Sequence, residues 1–471
     1  MNWLDFPAPV PLQCTRMTID EQSAENGHYD IALIGFWFGC NYGAILTTYA
    51  LYRFFTDRGL KVLLLNQAPL AGNPMYLDPR NISHRFMERY GVKCSQPLQS
   101  DAELEALNEV ADTFVVGSDQ VWRWAYTSYQ GFFYFMDFVR GEKRKIAVAS
   151  SFGIDWEERP ADNLAKAGLY LQAFDAVSVR EDSGVKVLRE HYGVEGEWVA
   201  DPVFLHGDAF YRELADGAAD QPAEPYLFAY VLDETEEIRE LINSVARQRG
   251  LRVFTVEDAH RLVTTPGGDE ARGRIPEPEQ WLQYIRDCAF FVTDSFHGVC
   301  FAHIFHKDFL CVAPQGRGLA RLHSLLALSG LADRLQEQLP YNPAVAQQAI
   351  PWDAVDERLH AARAKAAEWI EAALNRPRDP RRVALGTRLH RLLYAGRGEC
   401  ERDWWAHGQV QSLQSGKGLA FLAALVRAKA RLLRLAGKVL PGRKGRQFTK
   451  KAGTQETILR QLELERRAAR H

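Results

Sequence analysis

Residues 29–66 read "YDIALIGFWFGCNYGAILTTYALYRFFTDRGLKVLLLN", and this stretch decides the fold. The apolar run "YDIALIGF" predicts a buried strand, and "KVLLLN" predicts a second one. Between them, "AILTTYALYRFFTDRG" has apolar residues at helical spacing and ends at Gly59. A strand, a helix and a second strand in this order form a βαβ unit, from which parallel sheets are built.

The same alternation continues to residue 375. Further predicted strands in a first run are "DTFVVGSDQVW", "KIAVASSFG", "DAVSVRE" and "EWVADPVF". A second run follows the polar stretch "LADGAADQPAEP", with predicted strands "YLFAYVLD", "LRVFTVE", "AFFVTD" and "KDFLCVAP". We therefore predict an α/β fold with a leader, two Rossmann-like domains in series and a tail, at residues 1–28, 29–205, 206–375 and 376–471.

The charge of the chain is unevenly distributed. The 471 residues carry a net charge of −3, but residues 376–471 contain 23 Lys and Arg against 7 Asp and Glu. The tail is therefore +16, and residues 1–375 are −19. Arg427, Arg431, Arg434 and Lys438 fall on one face of a predicted amphipathic helix. We expect an anionic membrane surface as the partner, since no nucleic-acid module accompanies this charge.

Composition and cysteine spacing indicate the cellular compartment of the protein. Hydrophobic residues make up 46% of the chain and charged residues 25%, as in soluble globular proteins. The seven cysteines include no CxxC pair, so neither a zinc ribbon nor a redox motif is supported. No uncharged apolar run reaches the about 18 residues of a spanning helix, and the N-terminus does not resemble a secretory signal. We expect a cytoplasmic protein that attaches peripherally to the inner face of the cytoplasmic membrane.

The motif "TDSFHG", residues 293–298, is the first candidate site. It follows an apolar strand and opens a helical segment, and the carboxyl ends of strands face the ligand crevice in open α/β sheets. The helix start, with Ser295 and Gly298, can attract an anion, and His297 can donate a proton near neutral pH. The alternative is a helix cap with an ordinary loop histidine.

Three other predicted strand ends carry polar or aromatic side chains. Arg180 can bind a carboxylate or phosphate, or it can pair with an acid of the protein itself. Asn41 lies in "GFWFGCNYGA", which is not a dinucleotide fingerprint and is otherwise a tight turn. Asp119 and Trp122, in "GSDQVW", can face a saccharide or form a capped helix start with a core Trp. No metal site is predicted, since no carboxylate pattern completes a site with the histidines after His297.

Taken together, these stretches resemble the polysaccharide pyruvyl transferase family. The matching pieces, in the family's order over about residues 30–335, are "GCNYGAILTTYAL", "VVGSDQVW", "FFYFMDFV", "KRKIAVASSFG", "VSVREDSGVKVL", "ADPVF", "TDSFHGVCFAHIFHKDFL" and "RGLARLHSLLALSGLADRL". The resemblance implies a glycosyltransferase-B-like arrangement of the two domains across a cleft. It also implies phosphoenolpyruvate as donor, a sugar with two suitably placed hydroxyls as acceptor, a cyclic pyruvate ketal as product, and no cofactor.

The resemblance also implies roles for individual residues. The second domain would hold the donor and the first the acceptor, a cell-surface polysaccharide or its lipid-linked precursor. His297 would be the general acid or a phosphate ligand, and the donor-binding set would be Arg180, Ser295, His297, Gly298 and Arg321. Asn41, Asp119 and Trp122 would face the acceptor. Some relatives carry a basic residue where this chain has Ser295, so the charge is expected from Arg321 or Lys307 instead.

Two other functions compete with this interpretation. A glycosyltransferase that uses a nucleotide sugar can have the same fold, and Glu257 in "TVED" could read the ribose of such a donor. A non-catalytic scaffold in polysaccharide assembly could use the basic tail for binding. The presence of both Arg180 and His297 argues against the scaffold.

Overall fold

A computed structural model describes residues 27–66, 81–98, 100–217, 224–256, 275–314 and 316–395. The predictions for most of the leader, for Glu257 and for the tail helix with Arg427 lie outside the described residues. No described helix is long and apolar enough to cross a membrane.

The first sheet contains six parallel strands. They are β1 (Tyr29–Ile34), β2 (Val62–Leu64), β3 (Ala111–Val116), β4 (Arg144–Ser150), β5 (Ala176–Val179) and β6 (Glu197–Trp198), in the spatial order β2-β1-β3-β4-β5-β6. The helices of this part are α1 (Tyr42–Thr56), α2 (Ile82–Arg89), α3 (Asp101–Val110), α4 (Trp124–Thr127), α5 (Ala161–Gln172), α6 (Asp182–Val187) and α7 (Asp208–Asp216). Strands β2 and β5 are buried at every residue, as expected for strands covered on both faces.

The second sheet contains five parallel strands. They are β7 (Tyr226–Tyr230), β8 (Arg252–Thr255), β9 (Phe290–Thr293), β10 (Phe309–Val312) and β11 (Leu335–Gln336), in the spatial order β11-β10-β9-β7-β8. The helices that follow β7 are α8 (Glu236–Arg249), α9 (Pro278–Asp287), α10 (Phe296–Ile304), α11 (Ala320–Ser329), α12 (Trp352–Asn375) and α13 (Pro380–Leu389).

Local sequence signals account for these helices. In α8, the hydroxyl of Thr235 accepts from the Ile238 amide, and two glutamates occupy the first turn. The helix ends at Gly250, whose φ of 64° is a left-handed conformation that glycine adopts without strain. The predicted pair of Rossmann-like α/β units is confirmed.

The chain returns to the first sheet after completing the second. Arg144, at the start of β4, donates to the carbonyls of Ala373 (3.1 Å) and Arg376 (2.8 Å). Arg378 then pairs with Asp175 at 2.9 Å, just before β5. Helix α12, assigned to the second domain from sequence, therefore also contacts the first sheet. The boundary at residue 206 stays a prediction.

Lys145 gives a test of this packing. It lies buried in β4, near Asp175 and beneath α13, where a Cβ on Gly386 would lie 3.6 Å from its Nζ. Burial lowers the pKa of Lys145 to about 8, although Asp175 opposes the shift. The unfolded chain, with a Lys pKa of about 10.4, therefore binds more protons than the folded chain between pH 8 and 10.4, so stability rises with pH there.

We expect Lys145→Met to be more stable than the wild type at pH 7. This advantage should shrink by roughly 1 to 3 kcal/mol as the pH rises from 8 to 10.4. Urea unfolding at several pH values measures the difference, with exposed Lys61→Met as the control. A difference that is independent of pH would contradict the expected titration of Lys145.

Candidate functional site

The carboxylate of Asp201 joins several of the predicted motifs. It follows β6 and is 3% exposed. Oδ1 accepts from the Thr47 hydroxyl at 2.8 Å and from the Val203 amide at 3.1 Å. Oδ2 accepts from the Ser118 hydroxyl at 2.8 Å. One buried side chain thus connects α1, the end of β3 and the turn after β6.

Arg180, at the end of β5, is held by two carboxylates. Its Nη1 lies 2.8 Å from Asp201 Oδ2, and its Nη2 lies 2.8 Å from Asp119 Oδ1. The Arg180 side chain is fully buried. Asp119 has a φ of 82°, a strained conformation for a residue other than glycine, and strain of this kind concentrates at functional sites. The pairing of Arg180 with acids of the protein, an alternative left open by the sequence, is what the structure shows.

His297, on the helix that follows β9 of the second sheet, contacts this cluster. It lies in the first turn of α10 and is 5% exposed. Its Nε2 is 3.3 Å from Arg180 Nη1 and 3.6 Å from Asp201 Oδ2. The Nδ1 side of the ring lies against Gly43, where a Cβ would overlap the imidazole. Gly43 is therefore required for close approach of the first helix to the histidine.

The electrostatics of the cluster keep its acids ionised. Burial opposes the charge of Asp201, but His297 and Arg180 outweigh it and hold the pKa of this carboxyl well below its usual range. Burial likewise opposes the charge of Asp119, and Arg180 and His297 lower its pKa. The two acids in turn raise the pKa of Arg180 above its usual value despite burial. The network is a set of fixed charges around one histidine.

Arg321, in the first turn of α11, is a second buried guanidinium with a different environment. It is 7% exposed, its Nη2 donates to the Arg317 carbonyl at 3.1 Å, and its Nε has no hydrogen-bond partner. Within the described part of the chain, no carboxylate forms an ion pair with it at 4 Å or less. Burial and then Arg180 lower its pKa to about 10, so it stays protonated at neutral pH.

The ring of Phe296 lies beside both guanidiniums. Its centroid is 4.6 Å from Cζ of Arg180 and 5.4 Å from Cζ of Arg321. Helix α11 is held against α6 because the Ser324 hydroxyl donates to Asp182 Oδ1 at 2.7 Å. A buried cation that lacks a carboxylate partner is unfavourable by itself, so this position is suited to an anionic ligand.

The remaining predicted site residues serve first as helix caps. Asn41 is exposed, and its Oδ1 accepts from the Ala44 amide at 3.2 Å. The Ser295 hydroxyl accepts from the Gly298 amide at 3.2 Å, so this amide of the predicted donor set is already occupied. Gly298 also packs closely on β9, where a Cβ would lie 2.7 Å from the Thr293 hydroxyl oxygen. The acceptor contact of Asn41 and the donor contacts of Ser295 and Gly298 stay predictions.

Two expectations are corrected by burial and position. Trp122 is 1% exposed and donates from its indole to the Tyr134 carbonyl at 3.1 Å, so it is a core residue and offers no face to a saccharide. Lys307 donates to the Cys288 carbonyl at 3.3 Å beyond the far end of α10, so it does not replace the charge absent at Ser295. Of the two residues considered for that charge, Arg321 is the one beside the cluster.

The sequence interpretation missed Asp201 and Arg317. Asp201 lies in the quoted stretch "ADPVF", three residues after the end of β6. Arg317 pairs with Asp294 at 2.7 Å, and Asp294 also accepts from the amides of Leu232 and Asp233. Asp294, directly after the apolar strand β9, was the available signal for a basic partner such as Arg317.

The other histidines of this region do not join the site. The Nδ1 of buried His303 is 2.8 Å from the Val299 carbonyl, and His306 pairs with Asp356 at 2.9 Å. Among the described residues, no group of three or more His, Cys, Asp and Glu side chains is placed to hold a metal ion.

Several solved structures are similar to this chain at low sequence identity. Three similar solved structures are Medicago truncatula UGT71G1 with UDP-glucose, a putative UDP-N-acetylglucosamine 2-epimerase from Listeria monocytogenes, and S. aureus MnaA with UDP. Their sequence identities are 9%, 13% and 13%, and their TM-scores are 0.43, 0.45 and 0.43. The matches cover 75%, 75% and 72% of this chain, and 100%, 99% and 94% of the other chains. No curated protein sequence matches this chain.

The segments that follow β5 of the first sheet and β9 of the second bring Arg180 and His297 into one buried cluster. The family model for polysaccharide pyruvyl transferase matches residues 41–316, which is more than half of the chain. The chain belongs to the polysaccharide pyruvyl transferase family.

Gly43 provides a test of the site geometry. We expect Gly43→Ala to displace the His297 ring and to reduce transferase turnover by about 100-fold or more, since a misplacement of about 1 Å costs that much. The matched control is Gly217→Ala, because a Cβ at Gly217 meets its nearest atom at an ordinary 3.5 Å. Steady-state kinetics with the natural acceptor measure both variants. Equal turnover in the two variants would show that the His297 position does not matter.

Proposed function

We propose that this protein transfers the pyruvyl group of phosphoenolpyruvate to two hydroxyls of one sugar and forms a cyclic ketal. The proposal rests on family membership together with Arg321, a buried cation for which the described residues supply no ion-pair partner. The acceptor would be a cell-surface polysaccharide or its lipid-linked precursor, and no cofactor is required.

Phosphoenolpyruvate suits the charges around Arg321. The donor is a small dianion or trianion with a phosphate and a carboxylate, and guanidinium groups bind both with forked hydrogen bonds. Both terminal nitrogens of Arg180 donate to carboxylates, one to Asp201 and one to Asp119. We therefore assign Arg180 two roles, which are to position His297 and to contribute positive electrostatic potential at the site. Arg321 retains donors for the ligand, and we assign it the direct contact.

The chemistry requires one proton donor at a fixed position. A proton adds to C3 of phosphoenolpyruvate, which makes C2 electrophilic, and the first sugar hydroxyl bonds to C2. The C2–O bond to phosphate then breaks, and the second hydroxyl closes the ketal at C2. The two hydroxyl protons balance the one gained by C3 and the one carried away by phosphate. His297, which bridges the two sheets at Arg180 and Asp201, is the group we assign to this proton transfer.

Calorimetric titration tests the donor assignment without knowledge of the acceptor. We expect saturable binding of phosphoenolpyruvate to the wild type and a loss of about tenfold or more in affinity for Arg321→Ala, the size of a lost charged hydrogen bond. Exposed Arg252→Ala is the control and should bind normally. Titration with uridine and guanosine diphosphates accompanies it. Nucleotide binding without phosphoenolpyruvate binding would indicate a glycosyltransferase that uses a nucleotide sugar.

The basic tail supports a membrane-proximal location for this reaction. Four basic residues at helical spacing would lie on anionic lipid, each contributing about 1 kcal/mol near the surface. We expect replacement of Arg427, Arg431, Arg434 and Lys438 by Gln to reduce sedimentation with phosphatidylserine-containing vesicles. The control replaces four exposed basic residues of the folded part, namely Arg189, Arg239, Arg252 and Lys365. Vesicle binding that survives the tail substitutions but not the control substitutions would assign the attachment to the folded part.

A further inference from the structure

The loop after β4 presents an exposed tryptophan. Residues 151–160 connect β4 to α5, and Trp156 within them is 58% exposed, whereas Ile154 two residues earlier is buried. Among the described residues, Trp156 is the only aromatic side chain in the set of strongly exposed large apolar residues. Asp155 beside it is also exposed. The loop therefore offers one flat apolar face and one adjacent carboxylate to solvent.

Buried polar contacts hold the first part of this loop in place. Glu181 Oε1 accepts from the amides of Phe152 (2.6 Å) and Gly153 (3.1 Å). Glu181 directly follows Arg180 at the end of β5 and is fully buried. The base of the loop is thus fixed to the end of β5, where Arg180 of the buried cluster lies.

The second part of the loop is fixed as firmly. Arg159 is buried and donates from Nη2 to the Trp122 carbonyl at 3.0 Å, and it also pairs with Tyr192. Glu158 Oε1 accepts from the Ala125 amide at 2.8 Å, which ties the loop to α4. Because both ends are held, the Trp156 ring is presented at a defined place, and little ordering entropy would be lost on binding.

The loop borders the place where the two sheets' segments meet. A Cβ on Gly318 would overlap the Gly153 carbonyl, and Arg123 Nη2 donates to the Gly316 carbonyl at 2.8 Å. Gly318 lies three residues before Arg321. Trp156 lies three residues after Gly153. Because three residues of chain span at most about 10 Å, Trp156 lies within about 10 Å of Gly153.

Two half-buried aromatic residues lie on α4, the helix to which the loop is bound through Glu158. The ring of Tyr126 stacks with the Arg123 guanidinium at 4.6 Å, and Arg123 in turn donates to the Gly316 carbonyl. Trp124, also half-buried, lies 5.5 Å from the Arg159 guanidinium. We call Trp124, Tyr126 and Trp156 the aromatic rim.

We propose that the aromatic rim is an acceptor subsite, and that Trp156 stacks on a sugar next to the one that receives the pyruvyl group. The inference rests on the proposed function, because it needs the reacting sugar to lie against His297 and Arg321. Those two side chains are 5% and 7% exposed, whereas Trp156 is 58% exposed and is therefore available to a further sugar of the same acceptor. The acceptor class is therefore an oligosaccharide or a lipid-linked oligosaccharide. Asp155 accepts hydrogen bonds from the hydroxyls of the stacked sugar.

Saturation-transfer NMR and calorimetry on the full-length protein test this subsite. The probes are glucose, galactose and mannose, and the 1,3-, 1,4- and 1,6-linked disaccharides built from them, with inorganic phosphate present to fill the anion site without turnover. We expect at least one disaccharide to bind about tenfold or more tightly than either of its component monosaccharides. Trp156→Ala should abolish that advantage, and Trp156→Phe should restore part of it.

The control is Leu169→Ala, which removes another exposed apolar side chain, from α5, and should keep the advantage. Binding of all disaccharides no tighter than monosaccharides, or equal binding by wild type and Trp156→Ala, would overturn the subsite. Phosphoenolpyruvate titration of the same proteins separates the two proposals. Normal binding of phosphoenolpyruvate without a preference for disaccharides would overturn only the subsite proposal. A disaccharide preference that depends on Trp156, in a protein that does not bind phosphoenolpyruvate, sinks only the donor assignment.

Discussion

The buried ion pair between Arg180 and Asp201 is the interaction on which the site depends. Asp201 also accepts from Thr47 and Ser118, and Arg180 also contacts Asp119 and His297. Removal of one partner of such a pair costs about 3 to 5 kcal/mol, because the other charge stays buried without compensation. The cluster therefore links site geometry to the stability of the first sheet, and it places the histidine of the second sheet against that sheet.

Arg321 adds a positive charge beside a cluster in which Arg180 is already paired with two carboxylates. Arg180 is matched by two carboxylates whose pKa values are lowered, whereas Arg321 has only a backbone carbonyl as its observed acceptor. A site of this kind binds an anion through charge that is already desolvated, so little of the binding free energy is lost to reorganisation.

The sequence predicted the sheets and the strand ends well, because both depend on local patterns. Apolar runs between helical segments indicate parallel strands, and polar residues after Val116, Val179 and Thr293 indicate one functional edge. The partners of Arg180 lie 21, 61 and 117 residues away, and no local pattern encodes which acid it meets. Trp122 was misassigned for the same reason, because spacing does not reveal whether a loop side chain turns inward or outward. Trp156 escaped notice because a single exposed aromatic residue has no sequence signature.

The return of α12 and α13 to the first sheet bears on how the polypeptide acquires its structure during synthesis. Strand β4 is made early, yet Arg144 and Asp175 also form contacts with residues 373–378, which are made much later. At a translation rate of about 5 to 20 residues per second, the amino-terminal half therefore waits on the order of ten seconds or more for its last contacts. During that interval the polar groups at the ends of the first sheet stay exposed in the nascent chain. Helices α12 and α13 can cover them only after the second half of the chain has left the ribosome.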